Sequence, residues 1–166
     1  SRCWTEKGTD PDGTLFVAEK QTVGKGRQGR IWTSPPGENI YMSLLLWKPE
    51  IKALSASQLT LVMGLSVAQG MEKLTGRKAG IKWPNDVVYS GKKICGILTE
   101  MRIQEGKPEY IVIGVGINVN QTEFSPELQD KATSVFLETG KKADRIAGIA
   151  RVMECFEKNY RKFLRT

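Results

Sequence analysis

Two stretches of this chain, Asn39 to Trp47 and Tyr110 to Val119, are apolar almost without interruption. Each falls well short of the roughly 18 residues that a membrane helix needs. Each predicts instead a strand buried on both faces. Two such strands require a sheet with material packed against it. With 166 residues and 40% hydrophobic side chains, the chain can build a core of ordinary size without disulfides or metals.

The remaining pattern surrounds those strands. After the turn Asp10-Pro11-Asp12-Gly13, the residues Leu15, Phe16 and Val17 predict a strand over Thr14 to Glu19. Ser55 or Ser57 is expected to cap a helix that runs to about Leu74 and stops at Gly76. That helix carries Leu61, Leu65 and Ala68 on one side and Leu59, Val62 and Val67 elsewhere, so it should lie centrally on the sheet. Short strands are expected at Gly80 to Trp83, Val87 to Tyr89 and Lys93 to Met101. A last helix from about Ala143 sets Ile146, Ile149, Met153, Phe156, Tyr160 and Phe163 on one core-facing stripe. Regular βαβ alternation is missing, so the expected fold is α+β, with a mixed, mostly antiparallel sheet packed against helices. No repeat or linker divides residues 1–166, which read as a single domain. The abrupt polar start and the ending inside a basic helix suggest a fragment, or a chain whose disordered ends were removed.

Charge and residue usage narrow the chemistry. Lys and Arg number 25 against 18 Asp and Glu, a net charge of +7, which favours phosphates or other acidic partners. The chain has no histidine, and this excludes Ser-His-Asp triads, Cys-His dyads, His-ligated zinc and imidazole bases together. Cys3, Cys95 and Cys155 form no CxxC pair, which fits reduced thiols in a cytoplasm. Neither a membrane span nor a signal-peptide core is present in the sequence.

Three clusters could carry chemistry. Gly24-Lys25-Gly26-Arg27-Gln28-Gly29 has the spacing GxGxxG, but Arg30-Ile31-Trp32-Thr33-Ser34-Pro35-Pro36 follows and cannot open the helix that a dinucleotide fingerprint requires. What remains is a loop whose backbone amides and basic side chains can meet an anion, or a merely solvated basic loop. Lys82-Trp83-Pro84-Asn85-Asp86 is first of all a turn. Functionally, Asp86 could hold Mg2+, and Lys93 at a strand entrance could meet a carboxylate or phosphate. Cys95, among apolar residues, reads as packing. In Gly114-Val115-Gly116-Ile117-Asn118, two glycines inside a strand mark a close approach by backbone or ligand, and Asn118 offers both donor and acceptor.

In this order and spacing, Ala18 to Trp32, Ser34 to Tyr41, Lys82 to Asp86, Lys93 to Glu100 and Gly114 to Val119 together resemble the catalytic domain of biotin protein ligases, a class II synthetase-like fold. The resemblance implies an ATP- and Mg2+-dependent ligase that converts biotin to biotinyl-5'-AMP. Biotin then passes to a lysine of a biotin carboxyl carrier domain, as in acetyl-CoA carboxylase. It implies further that Gln21 faces the biotin ring system and that Gly24, Lys25, Gly26 and Arg27 fold over biotin and its adenylate. Arg27 would meet the phosphate, Trp32 would close the adenine side, and Lys93 would bind the carboxylate and α-phosphate. Gly96, Gly114 and Gly116 would let the ligand lie against backbone, and Asn118 would help hold the nucleotide. Arg27, Lys93 and Asp86 are thus the expected catalytic residues, with Asp86 the expected Mg2+ ligand.

Three departures from the family pattern stand out. Lys25 and Gln28 stand where the family usually carries Arg. Nothing in Ser1 to Gly13 replaces the Ser-Thr-Asn segment that normally contacts biotin. The C-terminal SH3-like domain and any N-terminal DNA-binding domain are expected to be absent. The expected partners are biotin, ATP and a carrier domain, with a homodimer compatible and with neither membrane nor nucleic acid. Two rival readings are a lipoate or octanoyl ligase of related fold and a basic nucleic-acid module. The second is weakened because Trp32 is the loop's only nearby aromatic and no RRM, KH or zinc pattern occurs.

Overall fold

The computed structural model describes residues 11–166. Cys3, Asp10 and most of the Ser1 to Gly13 stretch lie outside the described residues. Six strands form one sheet: β1 (Leu15–Ala18), β2 (Ile40–Trp47), β3 (Gly80–Lys82), β4 (Asp86–Tyr89), β5 (Lys92–Gln104) and β6 (Lys107–Ile117). Their order across the sheet is β1-β2-β6-β5-β4-β3. Every pairing between these strands is antiparallel. An isolated parallel bridge joins Lys93 to Ala132.

Register decides which side chains make the core. Ile40, Met42, Leu44 and Leu46 of β2 stand opposite Ile117, Val115, Ile113 and Ile111 of β6, all buried on one face. Helices α1 (Gln58–Thr75) and α3 (Arg145–Phe163) cover that face. In α1, Leu59, Met63, Val67 and Met71 recur at every fourth position and are fully buried. The two helices close on each other at Gly70, where a Cβ would come within 2.8 Å of the Val152 backbone nitrogen. Gly76, at φ 73°, ends α1 as expected. The carboxylate of Asp144 accepts from the backbone N–H groups of Ile146 and Ala147 and starts α3.

Four expectations need correction. Ser57 has helical backbone angles and makes no capping bond, so α1 begins without a side-chain cap. Leu61 and Leu65 are 37% and 41% exposed, because only one side of α1 meets the sheet and α3. Ile146 is 80% exposed: it lies in the first turn of α3, and the packed stripe begins at Ile149 and Val152. From Tyr110 onward β6 is buried on the helix face alone, with Tyr110, Val112, Gly114 and Gly116 half-buried on the other, whereas Tyr41 and Leu45 bury the corresponding face of β2 as expected, the Tyr41 hydroxyl donating to Pro35 O at 2.8 Å. A short helix, α2 (Val135–Thr139), was not anticipated. No helix among the described residues is long and apolar enough to cross a membrane.

Candidate active site

Across the face that the helices leave uncovered, Ser43, Gly114 and Leu98 make one row, and Tyr41, Gly116 and Gly96 the next. Glycine in adjacent positions leaves a trough. The loop from Gly24 to Trp32 folds over it as a tight hairpin, with Trp32 N–H donating to Gly24 O (3.0 Å) and Gly26 N–H to Arg30 O (2.7 Å). Its tip is a single 3-10 turn, Arg27–Gly29, in which Gln28 takes a left-handed φ of 56°. The helix of a dinucleotide fingerprint is absent there.

Trp32 explains why glycines stand in the trough. Its indole lies on Gly96 and Gly116, where added Cβ atoms would come within 2.7 and 2.6 Å of the ring. At Gly24 a Cβ would collide with the carbonyl oxygen of Trp32. Gly114 differs, since a Cβ there would find nothing closer than 3.4 Å. Two cavities meet at the indole. The first, of about 550 Å3, is bordered by Gln21, Lys25, Ser43, Gly96, Leu98, Glu100, Gly114 and Gly116. The second, of about 470 Å3, is bordered by Ile31, Asp86, Asn118, Phe124, Leu128 and Ala132. Gly26, Arg27, Trp32, Asn85 and Lys93 border both. Gly24 borders neither; it holds Trp32.

Lys93 reaches this wall through an irregularity in the sheet. Lys93 and Gly96 are three residues apart, and simple strand alternation would put them on opposite faces. The β4–β5 register slips, however: Val87 pairs with Cys95 and Val88 with Lys93, leaving Ile94 as an extra residue. Ile94 and Cys95 are both buried in the core, and Lys93 emerges on the side of Gly96, with its Nζ 3.2 Å from a Cβ built there. The ammonium lies 2.7 Å from Asp86 Oδ1 and 5.2 Å from the centre of the Trp32 ring. Lys92 points elsewhere and donates to Gln129 O.

The other polar groups are also held. Arg27 Nη1 donates to Asn85 Oδ1 (3.1 Å), and Asn85 Nδ2 donates to Ile97 O (3.2 Å), so the turn residue Asn85 ties the hairpin to β5. Gln21 Oε1 accepts from Ser34 Oγ at 3.0 Å. Asn118 is buried, and its side-chain amide donates to Thr133 O. Burial pushes the Cys95 thiol well up, against a smaller opposing pull from Lys93; the group is protonated packing and no nucleophile. Among the described residues no three His, Cys, Asp or Glu side chains gather where they could hold a metal ion. Asp86, Glu100 and Glu123 are the carboxylates at the cavities, and they do not cluster. The sequence pattern missed Asn85, taken as a turn, and Ser43, whose signal was a polar residue inside an apolar run. It missed Phe124 to Ala132 as well, because irregular backbone carries no periodicity.

Residues 5–118 match the family model described as the biotin/lipoate A/B protein ligase family. The chain belongs to this family. A bifunctional ligase/repressor BirA of Bacillus subtilis is 47% identical over 156 residues, covering 93% of this chain and 48% of that protein. A biotin–[acetyl-CoA-carboxylase] ligase of Mycobacterium tuberculosis is 35% identical, covering 80% of this chain and 48% of that one. The solved biotin protein ligase of Aquifex aeolicus in complex with biotin and ATP superposes with a TM-score of 0.82 at 39% identity, over 95% of this chain and 64% of that one. The family member described here spans about half the length of these curated relatives.

Proposed function

We propose that this chain is the catalytic part of a biotin protein ligase, which joins biotin to ATP as biotinyl-5'-AMP and passes biotin to a lysine of a carrier domain. The observation that carries the reading is the pair of cavities that share one wall bearing Lys93 and Arg27. In this reading biotin takes the cavity lined by Gln21, Ser43 and Gly114, and the nucleotide takes the one lined by Asn118 and Ala132. Biotin's carboxylate and the α-phosphate then meet at Lys93. Two unit charges 4 Å apart repel by about 4 kcal/mol at an effective dielectric near 20. Lys93 and Arg27 offset that repulsion, and the carboxylate attacks without a base, so the absence of histidine is no obstacle. Trp32 and the hairpin exclude water from the acyl-adenylate.

Mg2+ carried on ATP phosphates needs only one or two protein carboxylates. Asp86, which borders the second cavity beside Lys93, would supply one, and the cation would neutralise phosphate charge. The names borne by the relatives favour biotin over lipoate, a choice that the family model by itself leaves open. The reading treats residues 1–166 as one catalytic unit, supported by a single sheet that carries both cavities, in a cytoplasmic protein whose self-association light scattering would measure. The test is biotin-dependent exchange of pyrophosphate into ATP, followed by transfer to a carrier domain. Exchange with lipoate and none with biotin would reject the reading.

A further inference from the structure

A strap of irregular chain, residues 131–134, lies against the start of β5. Lys93 N–H donates to Lys131 O (2.8 Å), and Thr133 N–H donates back to Lys93 O (2.9 Å). The same strap holds Asn118, whose amide donates to Thr133 O and whose carbonyl accepts from Val135 N–H. The strap is itself tied down through Thr133, Glu138 and Arg77, which border neither cavity. The buried hydroxyl of Thr133 donates to Glu138 Oε1 at 3.0 Å, and Glu138 Oε2 pairs with Arg77 Nη2 at 3.0 Å. Arg77 is fixed in turn by Ser90 Oγ (2.8 Å) and by the face of Tyr89, 5.1 Å from its ring centre.

Lys93 follows a turn and precedes the extra residue Ile94, so regular pairing with β4 does not by itself fix its main chain. The strap supplies the missing restraint. We propose that Thr133 and Glu138 are positioning residues for Lys93: the Arg77–Glu138 pair fixes the Thr133 hydroxyl, Thr133 fixes the Lys93 backbone, and the ammonium is thereby held at the wall between the cavities. The inference rests on the ligase reading above for its kinetic consequence but not for its structural one.

The experiment compares Thr133→Val, which keeps shape and removes the hydroxyl, with Thr133→Ser, which keeps it, in the full-length protein. Two readouts are needed: amide exchange at Lys93, and kcat for biotin-dependent pyrophosphate exchange. Thr133→Val should lose protection at the Lys93 amide and lower kcat about tenfold, since a misplacement on the order of 1 Å at reacting groups can cost about 10²-fold. Affinity for biotin amide, which has no carboxylate for Lys93 to meet, should be unchanged, and Thr133→Ser should restore both readouts. In a Lys93→Ala background Thr133→Val should cost nothing further in kcat, whereas a role in general stability would add its cost there as well. Unchanged Lys93 protection in Thr133→Val, or equal damage from valine and serine, would overturn the proposal. A wild-type protein that fails to exchange pyrophosphate with biotin rejects the ligase reading instead, and the amide exchange then still decides whether the strap holds Lys93.

Discussion

The side chains of Lys92 and Lys93 are neighbours in sequence and lie in different surroundings, one at Gln129 and the other between Asp86 and Trp32. Charge-assisted hydrogen bonds contribute roughly 1.5 to 3 kcal/mol, so Lys93→Ala should slow adenylate formation about tenfold to 150-fold while Lys92→Ala leaves it unaltered. Pyrophosphate release measured for both variants checks this, and equal damage would remove Lys93 from the reaction. The trough glycines separate in the same manner. Gly116→Ala drives a methyl into the indole of Trp32, an overpacking that should cost about 1 to 3 kcal/mol and shift tryptophan emission. Gly114→Ala meets no such obstacle; it should keep the fold and the emission and weaken biotin binding by filling the first cavity. Urea melts with fluorescence, beside a biotin titration, distinguish the two outcomes.

Among the elements, the contact between α1 and α3 is the one most sensitive to a single atom. In an isolated helix Gly→Ala gains about 1 kcal/mol. At Gly70 the new methyl would stand within 2.8 Å of Val152 Cγ2 and of its backbone nitrogen, so Gly70→Ala should destabilise the protein despite its better propensity. A raised urea midpoint would contradict the packing described here. The elements were legible where one period ran unbroken: β2 and β6 as continuous apolar runs, α3 from its three- and four-residue spacing, the end of α1 from Gly76. Ile146 misled because periodicity shows which side of a helix is apolar and not where along its length the sheet begins. The slip at Ile94 was invisible, since Lys93-Ile94-Cys95-Gly96 reads as ordinary strand and the extra residue shows only against its partner, β4. The cluster residues Gln21, Arg27 and Gly116 could be picked from the sequence, but the reason for Gly116 could not, because Trp32 reaches it from a distant part of the chain.

For the molecule as a whole, buried thiol and phenol groups tie stability to alkaline pH. No imidazole is present to titrate near neutrality. Burial raises Cys95 above its ordinary 9.0, and it raises Tyr41, Tyr89 and Tyr160 above 10.0. In each case the folded state keeps a proton that the unfolded chain releases. Their contribution is therefore complete below about pH 9 for Cys95 and about pH 10 for the tyrosines, and is lost as pH rises beyond those values until the folded state releases the proton too. Urea midpoints should be level from pH 6 to 8 and fall above 9; a midpoint that climbs above pH 9 would refute the assignment. The wall that Gly26, Arg27 and Trp32 lend to both cavities has a thermodynamic corollary. A first ligand that restrains the hairpin bears the entropic cost of doing so, and the second meets it already restrained. Biotin and a non-reactive ATP analogue should then tighten each other's binding, and linkage requires the two enhancement factors to be equal. Two calorimetric titrations of each ligand, with and without the other, would show it, and independent affinities would mean that the hairpin is as rigid empty as full.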